Sequence, residues 1–119
     1  APPPGSVLVP VPLHWRRRWR RGFNPPEAVA EGLAMGWGRE LRTDLIRRFR
    51  HRSSLTASTR AARLDALTNM YQGGSNKGSG CEVVLVDDVL TTGATFRVCR
   101  SVLEASGHRV IGGVWLAMA

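Results

Sequence analysis

The sequence is short of cysteine, of lysine and of long apolar runs, and each shortage excludes a class of protein. The two cysteines, Cys81 and Cys99, form no Cys-x-x-Cys pair and are too few for a disulfide framework. We expect reduced thiols, although spacing alone leaves a single bridge open. The longest apolar run covers only the ten residues 110–119, whereas a membrane helix needs about 20. We therefore expect no membrane insertion.

Signals for export are also lacking. No basic stretch precedes the apolar residues near the amino terminus, as it does in a secretory signal peptide, so the sequence predicts a cytoplasmic protein. The chain does not start with Met, which fits a processed form or a fragment. Its 119 residues suit one domain, 1–119, with a single core.

Acidic residues are scarce in the first half of the chain. Residues 1–65 hold 13 Arg and five Asp or Glu, a net charge of +8, whereas residues 66–119 hold three Arg, one Lys and four acids, a net charge of zero. Sixteen of the 17 basic residues are Arg, whose planar guanidinium binds two phosphate oxygens at once. An anionic partner is therefore predicted, and charge alone leaves nucleic acid, a membrane surface and a phosphorylated metabolite open.

Helix and strand signals alternate along the chain. A short strand at 7–9 is limited by the prolines that follow it. A helix is predicted to start at Pro25, because Asn24 is a good N-cap and Glu27 completes a capping-box spacing. The residues predicted to form its buried stripe recur every four positions, and they are Val29, Leu33, Trp37 and Leu41.

The rest of the chain continues this alternation. The sequence predicts a weak strand at 44–49 and, over 51–80, a helical or partly mobile loop excursion that ends in a Gly-rich turn. It then predicts a strongly apolar strand at 81–87, a helix at 94–106 and a final strand at 109–118. Trp115 is predicted to lie in the core and His108 at the surface. Strands that alternate with amphipathic helices predict an α/β fold with a mostly parallel sheet.

The sequence V-L-V-D-D-V-L-T-T-G-A-T at 84–95 joins the strongest strand to a helix. At the carboxyl edge of a parallel sheet, where ligands bind, the N–H groups of a helix start attract an anion. The threonines add hydroxyl donors, and Gly93 lets the backbone approach a ligand closely. These residues predict a phosphate-binding loop.

Two adjacent carboxylates, Asp87 and Asp88, precede this loop. They repel a bare phosphate, but they fit a ligand that also offers hydroxyl groups, as a ribose does, or that brings Mg²⁺. A ribose 5-phosphate site is the chemical hypothesis; the alternative is that the carboxylates cap a loop and that the Thr-Gly sequence is only a helix start. The pattern is neither a Walker A loop nor a dinucleotide fingerprint, because the necessary Lys and further glycines are lacking.

Two segments of the chain together resemble one protein family. The 84–95 sequence closely resembles the phosphoribosyl pyrophosphate (PRPP) motif of the type I phosphoribosyltransferases. The sequence V-P-V-P-L-H-W-R-R-R-W-R-R-G-F-N at 9–24 is similar to the ComF branch, the competence protein F and GntX-like proteins, in which a P-V-P-L turn and an R-G-F-N helix entry precede that motif. The resemblance implies a three-layer type I phosphoribosyltransferase-like fold and a link to DNA uptake.

The resemblance also implies roles for matching residues. Asp87 and Asp88 are the expected ribose ligands, and they hold Mg²⁺ indirectly. Leu13, His14 and Arg21 are expected to face the pyrophosphate, with Arg16, Arg17, Arg18 and Arg20 undecided. The residues expected to wrap the 5-phosphate are Thr91, Thr92, Gly93, Ala94 and Thr95. The implied reaction is glycosyl transfer from PRPP to an acceptor that the sequence does not identify.

The chain departs from the family pattern at several positions. Thr91 stands where many relatives carry an aspartate general base, and Leu55 and Ala66 stand where a Gln and an Asn are typical. Longer members begin with a zinc ribbon and a helix before the first strand. Neither pattern occurs in these 119 residues, so no zinc site is predicted and we expect part of the sheet's cover to be missing. PRPP binding is therefore favoured over efficient turnover.

The sequence W-R-R-R-W-R-R at 15–21 supports a second hypothesis. Tryptophans stack on unpaired bases and arginines bind phosphates. This segment therefore fits a non-catalytic module that binds PRPP or a nucleotide and acts in DNA uptake through contacts to single-stranded DNA or to a protein of the competence machinery. The alternative is that the tryptophans pack on the domain while the arginines are solvated or serve the pyrophosphate.

Overall fold

Eight regular elements lie in the part of the chain that a computed structural model describes, residues 1–12, 25–48, 70–74, 80–90 and 92–118. In chain order they are β1 (Val7–Pro10), α1 (Pro25–Trp37), β2 (Glu40–Leu41), β3 (Ile46–Arg48), β4 (Tyr71–Gly73), β5 (Glu82–Leu90), α2 (Ala94–Ala105) and β6 (Arg109–Met118). The predicted α/β class is thereby confirmed, although four strands, β2 to β5, follow one another among the described elements. The predicted N-cap of α1, Asn24, lies outside the described residues.

The strongly apolar strand, β5, lies inside a four-stranded sheet of order β2-β1-β5-β6, in which every neighbouring pair is parallel. Successive side chains of β5 enter opposite cores: Val83 and Leu85 on one face of the sheet, Val84 and Val86 on the other. All four are at most 5% exposed. A continuous apolar run is what a strand covered on both faces requires.

Helix α1 covers one face of this sheet. Its small residues Ala30 and Ala34 are buried against Leu8, Val84 and Val86, and larger side chains of the predicted stripe pack around them. Small residues on this face allow the helix axis to approach the strands. The helix ends before Gly38, whose φ of +66° is a left-handed conformation that glycine adopts without strain.

Helix α2 covers the other face, together with a small antiparallel pair formed by β3 and β4. Val98, Cys99 and Leu103 of α2 are buried in the same cluster as Ile46 and Tyr71 of that pair. Gly107 follows α2 with a φ of +95°, as expected of the predicted stop. The structure therefore has three layers: α1, the parallel sheet, and α2 with the β3–β4 pair.

Two sequence predictions on strands are wrong. Leu41, predicted to lie on the helical stripe, pairs with Leu8 in β2 because the helix ends at Trp37. The range 51–80, predicted to be a helical or loop excursion, contains β4, which pairs with β3 through Arg48 and Tyr71. Both strands are very short and are defined by pairing with distant residues, which periodicity does not reveal.

Two predictions on burial are also wrong. His108 is only 6% exposed, because its Nδ1 accepts a hydrogen bond from the backbone N–H of Cys81 at 3.0 Å and thereby ties the start of β6 to the residue before β5. Trp115, predicted to lie in the core, is 37% exposed. It lies on β6, an end strand of the sheet, and contact with Phe96 of α2 covers it only in part.

Two consecutive glycines of β6 provide a matched test of packing against α2. A Cβ at position 113 clashes with the Phe96 ring, whereas a Cβ at position 112 meets no atom within 4 Å. We expect Gly113→Ala to lower the free energy of unfolding by about 1–3 kcal/mol, because overpacking displaces a rigid ring. Gly112→Ala should be neutral or slightly stabilising. Urea denaturation of both variants measures the difference, and equal effects at the two positions contradict this account of the α2–β6 contact.

Candidate functional site

The two adjacent carboxylates lie within β5, not after it. The sequence predicted that the strand ends at Asp87 and Asp88, but β5 runs on to Leu90, and its pairing with β6 continues through Val89 with Ala117 and Leu90 with Met118. The strand continues because β6 remains beside it and supplies hydrogen-bonding partners. Asp87 and Asp88 therefore sit on a rigid element at the carboxyl edge of the sheet, where the buried apolar residues stop.

The carboxyl group of Asp87 is held in an unfavourable environment for its charge. Its Oδ1 accepts a hydrogen bond from the backbone N–H of Asp88 at 2.8 Å, and the Oδ1 of Asp88 accepts one from the N–H of Val89 at 3.0 Å. Burial, followed by a hydrogen bond with the Asp88 carboxyl and the charge of that group, raises the pKa of Asp87 from 3.8 to about 6. Ligand hydroxyls or a cation would relieve this crowding of two carboxyl groups.

The residues present fit Mg²⁺ only in part. Carboxylate oxygens are the ligands that Mg²⁺ prefers, and Asp87 and Asp88 supply them. Among the described residues, however, no three His, Cys, Asp or Glu side chains gather as a protein-held metal centre requires. An ion held by these two carboxylates would need further ligands, such as the oxygens of a bound phosphate compound and water.

The segment after β5 leads into α2 through a turn that suits glycine. Gly93 has φ +80° and ψ 0°, and in the described part of the chain no side chain caps the helix start at this residue. The Thr92 hydroxyl accepts a hydrogen bond from the backbone N–H of Ala94 at 3.2 Å, and the Gly93 carbonyl accepts one from the backbone N–H of Arg97 at 3.0 Å. The start of α2 therefore offers N–H groups and hydroxyls close to the two carboxylates, which is chemistry suited to a phosphate.

Of the predicted phosphate and ribose residues, the structure describes six and leaves the others undescribed. Asp87, Asp88, Thr92, Gly93, Ala94 and Thr95 lie along one strand end, turn and helix start. Thr91 and the predicted pyrophosphate residues Leu13, His14 and Arg21 lie outside the described residues, as do Arg16, Arg17, Arg18, Arg20, Leu55 and Ala66.

The sequence analysis did not place two residues, Cys99 and Trp115, near the carboxylates. Cys99 of α2 is fully buried, and burial together with the Asp87 carboxylate raises the pKa of its thiol to about 12, which leaves it protonated and unreactive. Trp115 of β6 is the register partner of Asp87. The sequence does hold a signal for this neighbour. If the starts of the two apolar strands, β5 and β6, are aligned as parallel partners, a residue near Trp115 lies beside Asp87.

Comparison with curated proteins identifies relatives along nearly the whole chain. The chain is 29% identical to Competence protein F of Haemophilus influenzae over 112 residues, which cover 92% of this chain and 48% of that protein. It is 32% identical to the DNA utilization protein YhgH of Salmonella typhi over 108 residues, with coverages of 91% and 47%. It is 33% identical to Competence protein ComFC of Bacillus subtilis over 99 residues, with coverages of 82% and 38%.

This chain belongs to the ComF family. It spans about half the length, or less, of the curated relatives it matches. No family model matches the sequence. The sequence resemblance to ComF proteins is thereby confirmed, whereas the names of the relatives concern competence and DNA utilization and say nothing of phosphoribosyl transfer.

A solved structure shares the fold of this ComF-family chain. The crystal structure of TT1426 from Thermus thermophilus aligns with a TM-score of 0.50 at 17% identity, over 97% of this chain and 74% of that one. The architecture is the predicted α/β fold, a three-layer type I phosphoribosyltransferase-like arrangement around a mostly parallel sheet. No helix in the described ranges is both long enough and apolar enough to cross a membrane.

The raised pKa of Asp87 predicts a stability gain on its neutralisation. The folded pKa of about 6 exceeds the ordinary value of 3.8, so the destabilisation is absent below pH 3.8, grows up to pH 6 and is complete above it. We expect Asp87→Asn, whose amide oxygen still accepts from the Asp88 N–H, to increase the free energy of unfolding at about pH 7.5 by about 1 kcal/mol, allowing for solvent screening of a half-exposed group. Urea denaturation at several pH values should show the gain vanish near pH 4.

Asp44→Asn is the control with the opposite sign. The Nε and Nη2 atoms of Arg42 donate to the two Asp44 carboxylate oxygens at 2.7 Å each, and this contact holds the pKa of Asp44 below 3.8. Its neutralisation should therefore lower stability at neutral pH. A loss of stability in both variants at neutral pH contradicts the environment assigned to Asp87.

Proposed function

We propose that this chain binds PRPP, or a related ribose 5-phosphate, together with Mg²⁺, as a module that acts in DNA uptake. The observation that carries the proposal is the crowding of Asp87 and Asp88 within the last four residues of β5, where Asp88 lies five residues before the Gly93 turn into α2. One short segment, 87–94, carries both features. Its first residues are carboxylates that need hydroxyl partners, and its last residues form a helix start that attracts phosphate. A ribose 5-phosphate carries both chemical groups on one molecule.

Each part of the segment has a distinct task in this proposal. The carboxylates of Asp87 and Asp88 accept hydrogen bonds from the ribose hydroxyls. The hydroxyls of Thr91, Thr92 and Thr95 and the backbone at Gly93 and Ala94 surround the 5-phosphate. A bound Mg²⁺ would supply the positive charge that offsets the negative charges of the two carboxylates and of the pyrophosphate. Leu13, His14 and Arg21 are proposed to face that pyrophosphate.

Phosphoribosyl transfer to an acceptor is the second candidate function. Such a transfer breaks the bond between ribose C1 and pyrophosphate through an oxocarbenium-like state, and the chain's task is to hold the ribose while cations stabilise the departing pyrophosphate. Thr91 cannot accept a proton as a carboxylate does, so no general base is supplied at that position. Binding without turnover is therefore the leading proposal.

The role in DNA uptake is supported by the relatives and by charge. The matched proteins are named for competence and DNA utilization. Residues 1–65 carry a net charge of +8, from 13 Arg against five acids, and a polyanion is the natural partner of such a segment. We propose single-stranded DNA as that partner, contacted by 15–21, and a cytoplasmic location for the protein.

Calorimetric titration with PRPP tests the ribose-phosphate site. We expect saturable binding that requires Mg²⁺ and that weakens at least about tenfold when both Asp87 and Asp88 are replaced by Ala, because charge-assisted hydrogen bonds to the ribose are lost. Glu82→Ala is the control, since Glu82 is an exposed acid at the opposite end of the same strand.

Three outcomes of this titration are decisive. No binding by the folded chain, or unchanged binding by the double variant, rejects the ribose-phosphate site. Binding with release of pyrophosphate once a nucleobase is added selects the transferase. Binding without such release supports the module.

Titration with fluorescent single-stranded DNA tests the second part of the proposal. We expect affinity to fall steeply with salt, and to fall about tenfold further when Trp15 and Trp19 are replaced by Ala, because base stacking is lost. Arg17→Ala with Arg18→Ala should weaken binding more than Arg97→Ala with Arg100→Ala, which removes the same charge from the exposed face of α2. Equal losses in the two Arg variants indicate a general charge effect and reject contact by 15–21.

A further inference from the structure

Trp115 is a large aromatic side chain left 37% exposed beside the candidate site. It is the register partner of Asp87 in the parallel pairing of β5 with β6. Partners in a parallel pair lie on strands about 4.8 Å apart, and their side chains point to the same face. The indole therefore lies next to the carboxylate that the proposed function assigns to the ribose.

Independent contacts place both residues on the α2 face of the sheet. Phe96 of α2 meets the Trp115 ring edge-on, with ring centroids 6.3 Å apart and an interplanar angle of 79°. Asp87 follows Val83 and Leu85 at two-residue spacing on β5, and both of those side chains pack in the same core cluster as Cys99 of α2. Asp87 and Trp115 thus share a face with the helix whose first turn is the proposed phosphate-binding segment.

The indole is held in place and does not fold down onto the core. The Phe96 ring lies in the space that a side chain at position 113 would fill, because residue 113 is glycine and a Cβ at that position would clash with the ring. Phe96 in turn supports one side of Trp115. A large apolar group that is fixed by its neighbours and still exposed is suited to contact with a ligand, because little side-chain entropy is lost on binding.

We propose that Trp115 is a further ligand-contacting residue, and that its exposed surface takes the base of a nucleoside 5′-monophosphate bound through its ribose and phosphate. This inference rests on the proposed ribose-phosphate site. The 5-phosphate lies at the start of α2 and the ribose at Asp87, so the group on ribose C1 has Trp115 within reach. A planar heterocycle gains dispersion and stacking on an indole.

Titration of the parent chain with ribose 5-phosphate and with adenosine 5′-monophosphate tests the inference. We expect the nucleotide to bind about tenfold more tightly, which is the usual contribution of one stacked base. In Trp115→Ala the two affinities should become equal within about twofold, while ribose 5-phosphate binds as before. Trp115→Phe keeps an aromatic surface and should retain most of the difference.

Indole fluorescence gives a second measurement. Adenosine 5′-monophosphate should quench the emission of the parent and of Trp37→Phe, but not that of Trp115→Phe. Trp37 is the matched control because it lies at the end of α1, packed on the opposite face of the sheet. Thermal unfolding by circular dichroism confirms that each variant is folded before it is titrated, and Trp115→Phe keeps the test decisive if Trp115→Ala does not fold.

The outcomes separate this inference from the proposed function. Tighter nucleotide binding that depends on an aromatic residue at 115 supports it. Equal affinities for both ligands in the parent, or an equal loss of both in Trp115→Ala, overturn it while leaving the ribose-phosphate site intact. Binding of neither ligand by the folded parent rejects the proposed function, and the role of Trp115 falls with it.

Discussion

Burial of β5 on both faces is the constraint on which the rest of the structure depends. A strand between α1 and α2 must be apolar at every position that the two helices cover. In β5 these positions are residues 83–86, and all four are apolar. The first positions beyond this cover are free to be polar. Asp87 and Asp88 occupy them, on a backbone that pairing with β6 still holds rigid. The position of the candidate site is thus a consequence of where the sheet's cover ends.

The sequence predicts the features that are local and misses those that depend on distant partners. The apolar run of β5 and the amphipathic pattern of α2 carry enough information for element type, parallel sheet and phosphate-binding turn. His108 follows a glycine, a position typical of an exposed turn, yet it is buried through a contact with the Cys81 N–H, 27 positions away. Trp115 lies in an apolar strand, which favours burial, but its strand is the last of the sheet. Leu41 fits the helical period, yet Gly38 ends the helix first.

Fold stability and ligand binding make opposite demands on Asp87. The fold disfavours its charge, as the raised pKa shows, while a ribose is best bound by the ionised carboxylate. A carboxylate that destabilises the fold and yet occupies a central strand is typical of binding or catalytic sites. The neighbouring Cys99 differs from Asp87 in this respect. Its thiol is completely buried and neutral, so the fold does not have to accommodate a charge there.

The outer edge of β6 bears on the colloidal behaviour of the protein. No described residue pairs with that edge, and positions 110–118 contain neither a charge nor a proline, which are the usual protection of an edge strand against pairing with other molecules. Mutual repulsion from the net charge of +8 is then what keeps molecules apart at low ionic strength. Salt screens that repulsion over a distance of about 8 Å at physiological strength and leaves the apolar edge unaffected. The charge that opposes association through this edge is therefore carried mostly by arginines in a different part of the sequence from β6.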